Sequence, residues 1–295
     1  MQTTIAQMIA LTSWGNALLQ GRIAQSSDFY PGNSTFQFCA EVAFYALDPA
    51  TGSWPSQPLA RDPLAWLQQQ ADAGVEKFSL SYWPSGHTAE HTTSDRMAVG
   101  FVGGGGRWLL LAHFADGVDV WEARWEVGER QRADRKIWQV RYGQIARRVS
   151  APASEVLALP KLRALLANQL TALTTFASEQ KELGFAKTFA RALDDLNTAA
   201  ARLESSDLTP PGALNLSAQQ LLAATETAWV FGGMGSWNDV GFAGAEYDSY
   251  SQLSDELFVL LTQALVLVAN HNADFPRKAQ KAWWQFWKSA APTPA

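Results

Sequence analysis

The spacing of apolar residues changes near residue 150, and that change limits the folds open to this chain. Before it, Trp121, Ala123, Trp125 and Val127 alternate with Glu122, Arg124 and Glu126. That period of two belongs to a strand with one face buried. After it, Leu162, Leu165, Leu166, Gln169, Leu173 and Phe176 trace one stripe of a helix. Strands followed by helices, rather than strands alternating with them, indicate an α+β fold. The expectation is an antiparallel sheet of about five strands with covering helices over residues 1–150. An all-helical bundle follows over residues 151–295, with the boundary in Ser150-Ala-Pro-Ala-Ser154.

Within the first part, residues 3–20 read as a helix whose Ile5, Met8, Ile9, Thr12 and Leu19 share a face. Residues 36–47 read as a strand from their aromatic and β-branched content. Asp62-Pro63 opens a short helix, with Asp62 as N-cap and proline at the first helical position. Strand-like runs follow from Val75, from Met97 to Val102, from Trp108 to Phe114, from Val118 to Val127 and from Ile137 to Tyr142. Asp116-Gly117 marks a hairpin. Short connections favour antiparallel pairing. In the second part Gly184 is the expected break between two helices, Asp194-Asp195 the solvated side of the second, and Ser217 the cap of the third. Phe258 to Val268 is apolar on nearly every side, which suits the central helix of a bundle.

Composition bounds the chemistry. With 47% hydrophobic residues in a chain of 295, a sizeable core is expected, and the 13 tryptophans belong in it first. A net charge of −5 argues against general nucleic-acid binding, which needs a basic face. The single cysteine, Cys39, allows neither an intrachain disulfide nor a cysteine-based zinc site. It lies in an apolar run as a buried thiol, and a reducing cytoplasm is the expected location. The N-terminal residues lack the basic start of a signal peptide. Leu257 to Ala269 falls short of the ~20 apolar residues needed to span a bilayer.

Two motifs invite a chemical reading. His87-Thr-Ala-Glu-His91 spells the inverted zincin pattern, in which two histidines on one helix face bind zinc. Here Pro84, Ser85 and Gly86 precede it and Thr92 to Ser94 follow, so a loop is expected and the required helix is missing. His87 and His91 remain weak metal candidates, and His113 reads as a packed histidine. Gly103 to Gly106 resembles a phosphate loop but lacks the Lys-Ser/Thr and precedes a strand. It is expected as a hairpin tip. No cofactor is expected.

The most unusual stretch is Trp229-Val-Phe-Gly-Gly-Met-Gly-Ser-Trp-Asn-Asp239. One reading is structural: Gly232, Gly233 and Gly235 let backbones approach, Met234 and the tryptophans plug the gap, and Asn238 or Asp239 caps the next turn. The other is a site. Exposed backbone N–H groups would hold an anion, with Ser236, Asn238, Asp239, Glu246 and Asp248 around a polar ligand or metal. Together with Glu246-Tyr-Asp248 and the long apolar helix, this motif resembles an uncharacterised bacterial family, a domain of unknown function. The basic-aromatic strands from Trp121 to Tyr142 fit the same resemblance. It implies no catalytic assignment.

The segment Arg277-Lys-Ala-Gln-Lys-Ala-Trp-Trp-Gln-Phe-Trp-Lys288 is basic and aromatic with no acid. Its Trp283, Trp284 and Trp287 are candidates for contact with a partner or a membrane surface, though a packed final helix is the favoured expectation. No complete catalytic set stands out. The expected function is a non-catalytic cytoplasmic binding or interaction protein, accessory or immunity-like, with an unknown protein partner. The first alternative is a metal-dependent hydrolase using Asp239, Glu246 and Asp248. The second is peripheral membrane association through the tryptophan segment.

Overall fold

A computed structural model describes residues 1–23, 28–85, 94–101, 104–151 and 157–274. The inverted zincin pattern with His87 and His91, the boundary at Ser150–Ser154 beyond Ala151, and the segment carrying Trp283, Trp284 and Trp287 lie outside them. The elements run α1 (Thr3–Leu19), β1 (Cys39–Tyr45), α2 (Pro63–Asp72), β2 (Lys77–Trp83), α3 (Asp95–Ala98), β3 (Arg107–Phe114), β4 (Gly117–Val127), β5 (Trp138–Val149), α4 (Leu159–Glu179), α5 (Leu183–Asp195), α6 (Leu216–Ala228) and α7 (Gly244–Asn270). Strands occupy the first half and most helices the second, so the fold class is α+β.

The five strands form one sheet in the order β1-β5-β4-β3-β2. β2, β3, β4 and β5 pair antiparallel, and Phe114↔Gly117 closes the expected hairpin. One ladder departs from the antiparallel expectation: β1 lies parallel to β5. Short connections govern only strands adjacent in sequence. Everything from α2 to β4 separates β1 from β5, which leaves room for a parallel return.

Alternation assigns the two faces. Phe44, Phe78, Leu80, Leu110, Trp121, Val140 and Tyr142 point to the main core. Leu109, Leu111, Val118 and Val120, one residue out of phase, form a smaller cluster on the other face. α1 packs on β2 and β3, and α2 packs on β1. α7 joins them by packing on β2 and α1, α4 and α6 pack on α7, and α5 packs on α4 and α6. A single apolar cluster therefore runs from Ile5 of α1 through the sheet to Leu265 and Val268 of α7. α1 is buried on nearly every side, not on one stripe, because the sheet and α7 approach it from different directions. α7 is long and apolar enough to cross a membrane by length and composition, yet its Leu257, Leu261, Ala264 and Leu265 are buried in this core.

The edge of the sheet at β2 is closed in an uncommon way. Asn16 of α1 accepts from Phe78 N–H at 2.8 Å and donates to Phe78 C=O at 2.9 Å. Asn270 of α7 repeats this on Leu80, at 2.7 and 3.0 Å. Each side-chain amide thus stands in for one residue of a missing neighbouring strand. An edge with unpaired N–H and C=O groups would recruit other chains.

Several local expectations need correction. Met97 to Val102 is not a strand as far as it is described; Asp95–Ala98 is a short helix, with the Ser94 side chain accepting from Met97 N–H. The first strand starts at Cys39, because Ser34–Phe36 forms a helical turn capped by Asn33. The chain between α4 and α5 turns at Lys181, in the left-handed region at φ 63°, and Gly184 lies inside α5. Asn215, not Ser217, caps α6, its side chain accepting from Ala218 N–H at 2.9 Å. Asp195 is not solvated. It is fully buried, bound by Arg202 Nε at 2.7 Å and by the Thr227 hydroxyl at 2.7 Å.

Candidate functional site

The glycine stretch leaves α6 at Trp229 and enters α7 at Gly244. Its shape is set by two anchors. Phe231 packs on Phe258 of α7, with ring centroids 5.6 Å apart. Trp237 is completely buried among Phe176, Phe185, Phe189, Phe242 and Tyr250. Its indole N–H donates to Ser254 Oγ at 2.8 Å, and its carbonyl accepts from the Tyr250 hydroxyl at 2.7 Å. Trp237 N–H donates to Val230 C=O at 2.9 Å and so ties the stretch into a loop. Between these anchors the chain must reverse over very few residues. Gly232, Gly233 and Gly235 do so with φ of 79°, 95° and 74°.

Gly232 also makes a close approach. A Cβ there would lie 2.9 Å from Gly100 Cα, and a Cβ on Gly100 would lie 3.1 Å from Gly232 Cα. Two backbones thus touch where neither has a side chain. Gly233 has the same handedness but open space around it. This separates two costs. Gly233→Ala is expected to lose about 1–2 kcal/mol, the cost of the left-handed region for an L-residue. Gly232→Ala adds a backbone collision and is expected to lose roughly 2–4 kcal/mol. Thermal or urea unfolding of the two variants checks the order. Equal losses would mean that the contact with Gly100 carries no weight.

Four residues before Gly100 stands Arg96, a residue with no signal in the sequence. The Arg96 side chain is 4% exposed. Its Nε donates to Asp255 Oδ1 at 2.8 Å, and its Nη1 donates to Asn238 Oδ1 at 2.8 Å. Asn238 Nδ2 returns a bond to Arg96 C=O at 2.9 Å. The guanidinium also sits 5.3 Å from the Tyr250 ring centroid. Burial raises the Tyr250 phenol above its ordinary value, and Arg96 opposes that shift. One cation therefore joins α3, the glycine stretch and α7. Asp255 is half exposed, so the pair is partly screened, but the two-way bond with Asn238 sets its geometry.

The expected site residues divide accordingly. Asn238 and the backbones of Gly232 and Gly100 meet in this junction. Asp239 is exposed and turns back to accept from Ser236 N–H at 2.9 Å, capping the short turn Trp237–Asp239. The amides of Ser236 and Trp237, which follow the glycines, are used internally. Glu246 and Asp248 stand in the first turns of α7, exposed. Among the described residues, no group of three or more His, Cys, Asp or Glu side chains is placed to hold a metal ion. The glycine stretch thus brings together a structural cap and a buried arginine with a half-exposed carboxylate partner, rather than a carboxylate cluster.

Met234 corrects the reading of the stretch as a plug. It does not fill a gap but stands free at the tip of the loop, with a relative exposure of 104%. The anchors on either side, Phe231 and Trp237, do the filling. Phe101, next to Gly100, is 75% exposed. Met97, whose Sδ lies 3.4 Å from Arg96 Nη1, is 41% exposed, and Tyr247, beside Tyr250, is 52% exposed. Met97 and Tyr247 thus attach to the junction through Arg96 and Tyr250, while Phe101 and Met234 stand on the two chain segments that meet at Gly100 and Gly232.

Elsewhere, Cys39 is buried, and desolvation pushes its thiol up to about 11, as expected for an inert cysteine. His113 is half-buried and bonds through Nε2 to Ser79 Oγ at 2.7 Å. Burial and then Lys77 lower it to about 4, so it is neutral near pH 7. Gly104 to Gly106 lead from α3 into β3 rather than over a hairpin tip, and Gly106 is pressed against the Tyr82 ring. No family model matches the chain, and no curated protein or solved structure matches it either.

Proposed function

We propose that this chain is a non-catalytic binding protein that meets a protein partner through the surface formed by Met97, Phe101, Met234 and Tyr247. The observation that carries this reading is the setting of Met234. A fully exposed apolar side chain sits on a loop whose both ends are anchored and whose base is locked by Arg96 and Asn238. A free, unanchored tip would lose conformational freedom on binding, and a held tip avoids most of that cost. Methionine suits such a surface because its flexible thioether adapts to varied partner shapes. Contiguous exposed apolar patches mark interaction sites on soluble proteins. A hydrolase centred on Asp239, Glu246 and Asp248 has less support, since Asp239 is engaged in a local cap.

The experiment compares the native chain with Phe101→Asp/Met234→Asp as baits in native cells. Both sites are exposed, so near-UV circular dichroism should be unchanged. A partner held by the native chain and lost by the variant is the expected result. Equal recovery of every bound protein by both baits would sink the reading.

A further inference from the structure

The β4–β5 hairpin is basic on an acidic chain. From the Arg124↔Arg141 pair outward, β4, its turn and β5 form one arm. Its register runs through Trp125↔Val140, Glu126↔Gln139 and Val127↔Trp138, and Gly128 N–H closes it on Ile137 C=O at 2.8 Å. β3 pairs with β4 only as far as Leu109↔Glu122, so the β4 edge of the arm has no neighbouring strand among the described residues. Residues 124–141 hold six Lys and Arg against three Asp and Glu, a net +3. The whole chain carries −5, so the remainder carries −8. Such an asymmetry sets up a field that draws an anionic partner towards the arm.

Internal pairing decides which of these cations face a partner. Arg132 grips Asp134 through Nε at 3.0 Å and Nη2 at 2.8 Å, and Asp134 also accepts from Lys136 N–H at 3.0 Å. Asp134 thus shapes the turn, in which Arg135 takes a left-handed φ of 58°. Glu126 lies 3.6 Å from Arg141. Of the three acids only Glu129 is left, against Arg130, Arg135 and Lys136, none of which forms an ion pair among the described residues. Arg130 and Arg135 are exposed and Lys136 is partly exposed. Arg124 and Arg141 stand directly opposite one another, an arrangement that like charges disfavour. An incoming carboxylate would relieve this crowding of positive charge.

The aromatic residues of the arm favour a protein occupant over a nucleic acid. Bases bind by stacking on aromatic faces. Trp54 is pressed onto Gly143, where a Cβ would lie 1.8 Å from its ring, and the Arg124 guanidinium sits over it at 4.5 Å. Trp125 and Trp138 meet edge to face at 5.8 Å and pack against the main core. These rings are already engaged. A long run of phosphates would also meet the acidic remainder of the chain, whereas the carboxylates of a protein surface can be confined to the width of the arm. Val127, 42% exposed, suits the apolar side chains that accompany acids on such a surface.

We propose that residues 124–141 are a docking element for an acidic protein surface, held through Arg130, Arg135 and Lys136. This goes beyond the contact face at Met234 and uses none of its residues.

The test is fluorescence anisotropy of a labelled octaglutamate peptide with the purified full chain. Binding is expected at about 50 mM salt and should weaken at about 150 mM, because exposed charges are screened. Arg130→Gln/Arg135→Gln/Lys136→Gln should weaken it about tenfold, since each exposed ion pair contributes roughly a factor of two. Lys161→Gln/Lys187→Gln/Arg191→Gln, at exposed positions of α4 and α5, removes the same charge and should change it by less than about twofold. Unchanged near-UV circular dichroism checks the fold of both variants. Absence of peptide binding at the lower salt overturns the proposal. So does an equal loss in the two variants, because net charge alone would then explain the binding. An oligothymidylate of equal charge that binds more tightly than the peptide, and is lost with the arm variant, makes nucleic acid the occupant and also overturns it. None of these results bears on the bait comparison above, since Phe101→Asp/Met234→Asp leaves the arm intact.

Discussion

Replacing Asn16 by alanine is expected to lower the free energy of unfolding by about 2–5 kcal/mol, because it orphans two backbone groups at once and each buried, unpaired group costs on the order of 1–3 kcal/mol. Asn16 is 1% exposed, so water cannot take its place. Its amide both accepts from and donates to Phe78, the residue whose ring fills the core beneath α1. Asn16→Asp keeps the acceptor, loses the donor and buries a charge, so it should be no better. Asn270→Ala removes the same pair of bonds from Leu80, but Asn270 is only partly buried, and its loss should be smaller. The double variant frees two successive positions on the edge of β2. It should self-associate more strongly than the native chain, since an open edge is a template for pairing. Urea unfolding measures the first effect and sedimentation velocity the second. A loss below about 1 kcal/mol for Asn16→Ala would mean that relaxation of α1 readily satisfies the edge.

Trp237→Ala should cost roughly 3–5 kcal/mol, the usual range for emptying a buried aromatic position. The ring is wholly enclosed by side chains of α4, α5 and α7, so the site has few ways to collapse. Trp237→Phe keeps much of the packing but leaves Ser254 Oγ without the indole donor, and it should lose about 1–3 kcal/mol. Beyond stability, the alanine variant should loosen the tip. Trp237 closes the loop by donating to Val230 C=O, and its own carbonyl receives Tyr250, which lies under Arg96. Backbone amides from Gly232 to Val240 should then exchange hydrogen faster relative to those of β4 and β5. Unchanged relative exchange would show that Arg96 and Asn238 hold the loop without the tryptophan. If Trp237→Ala also weakens partner capture while Met234 stays in place, preorganisation of the tip contributes to binding.

The contrast between these two residues marks how far the sequence could be read. The importance of the motif around Trp237 was legible, because glycines crowded among aromatic residues carry a local cost that something must offset. Asn16 was not. An asparagine in an apolar helix leaves no local pattern that tells it from a tolerated polar residue. Arg96 was equally silent. The run that follows it reads as extended, and its burial as a paired cation depends on Asn238 and Asp255, distant in the chain. Asp195 misled for the same reason: helical spacing placed it beside Asp194 on a polar side, and Arg202 then covered it. Met234 was placed as a plug because methionine usually fills gaps. Phe231 and Trp237, being larger, took the interior and left it at the tip.

Local chemistry therefore settled what depends on neighbours in sequence. Periods of two and 3.6 divided strands from helices, Asp62-Pro63 began α2, and Asp116-Gly117 turned the β3–β4 hairpin. These signals are local because backbone preference and the burial of one face act within a turn or a strand. Tertiary packing alone decided the rest: the parallel placement of β1 on β5, the descent of α7 onto the sheet, the asparagine pairs at the β2 edge and the junction under Met234. Each joins residues far apart in the chain, and its free energy appears only when both partners arrive. No periodicity records such a pairing in advance, which is why the Arg96 junction emerged from the structure rather than from the glycine motif that it supports.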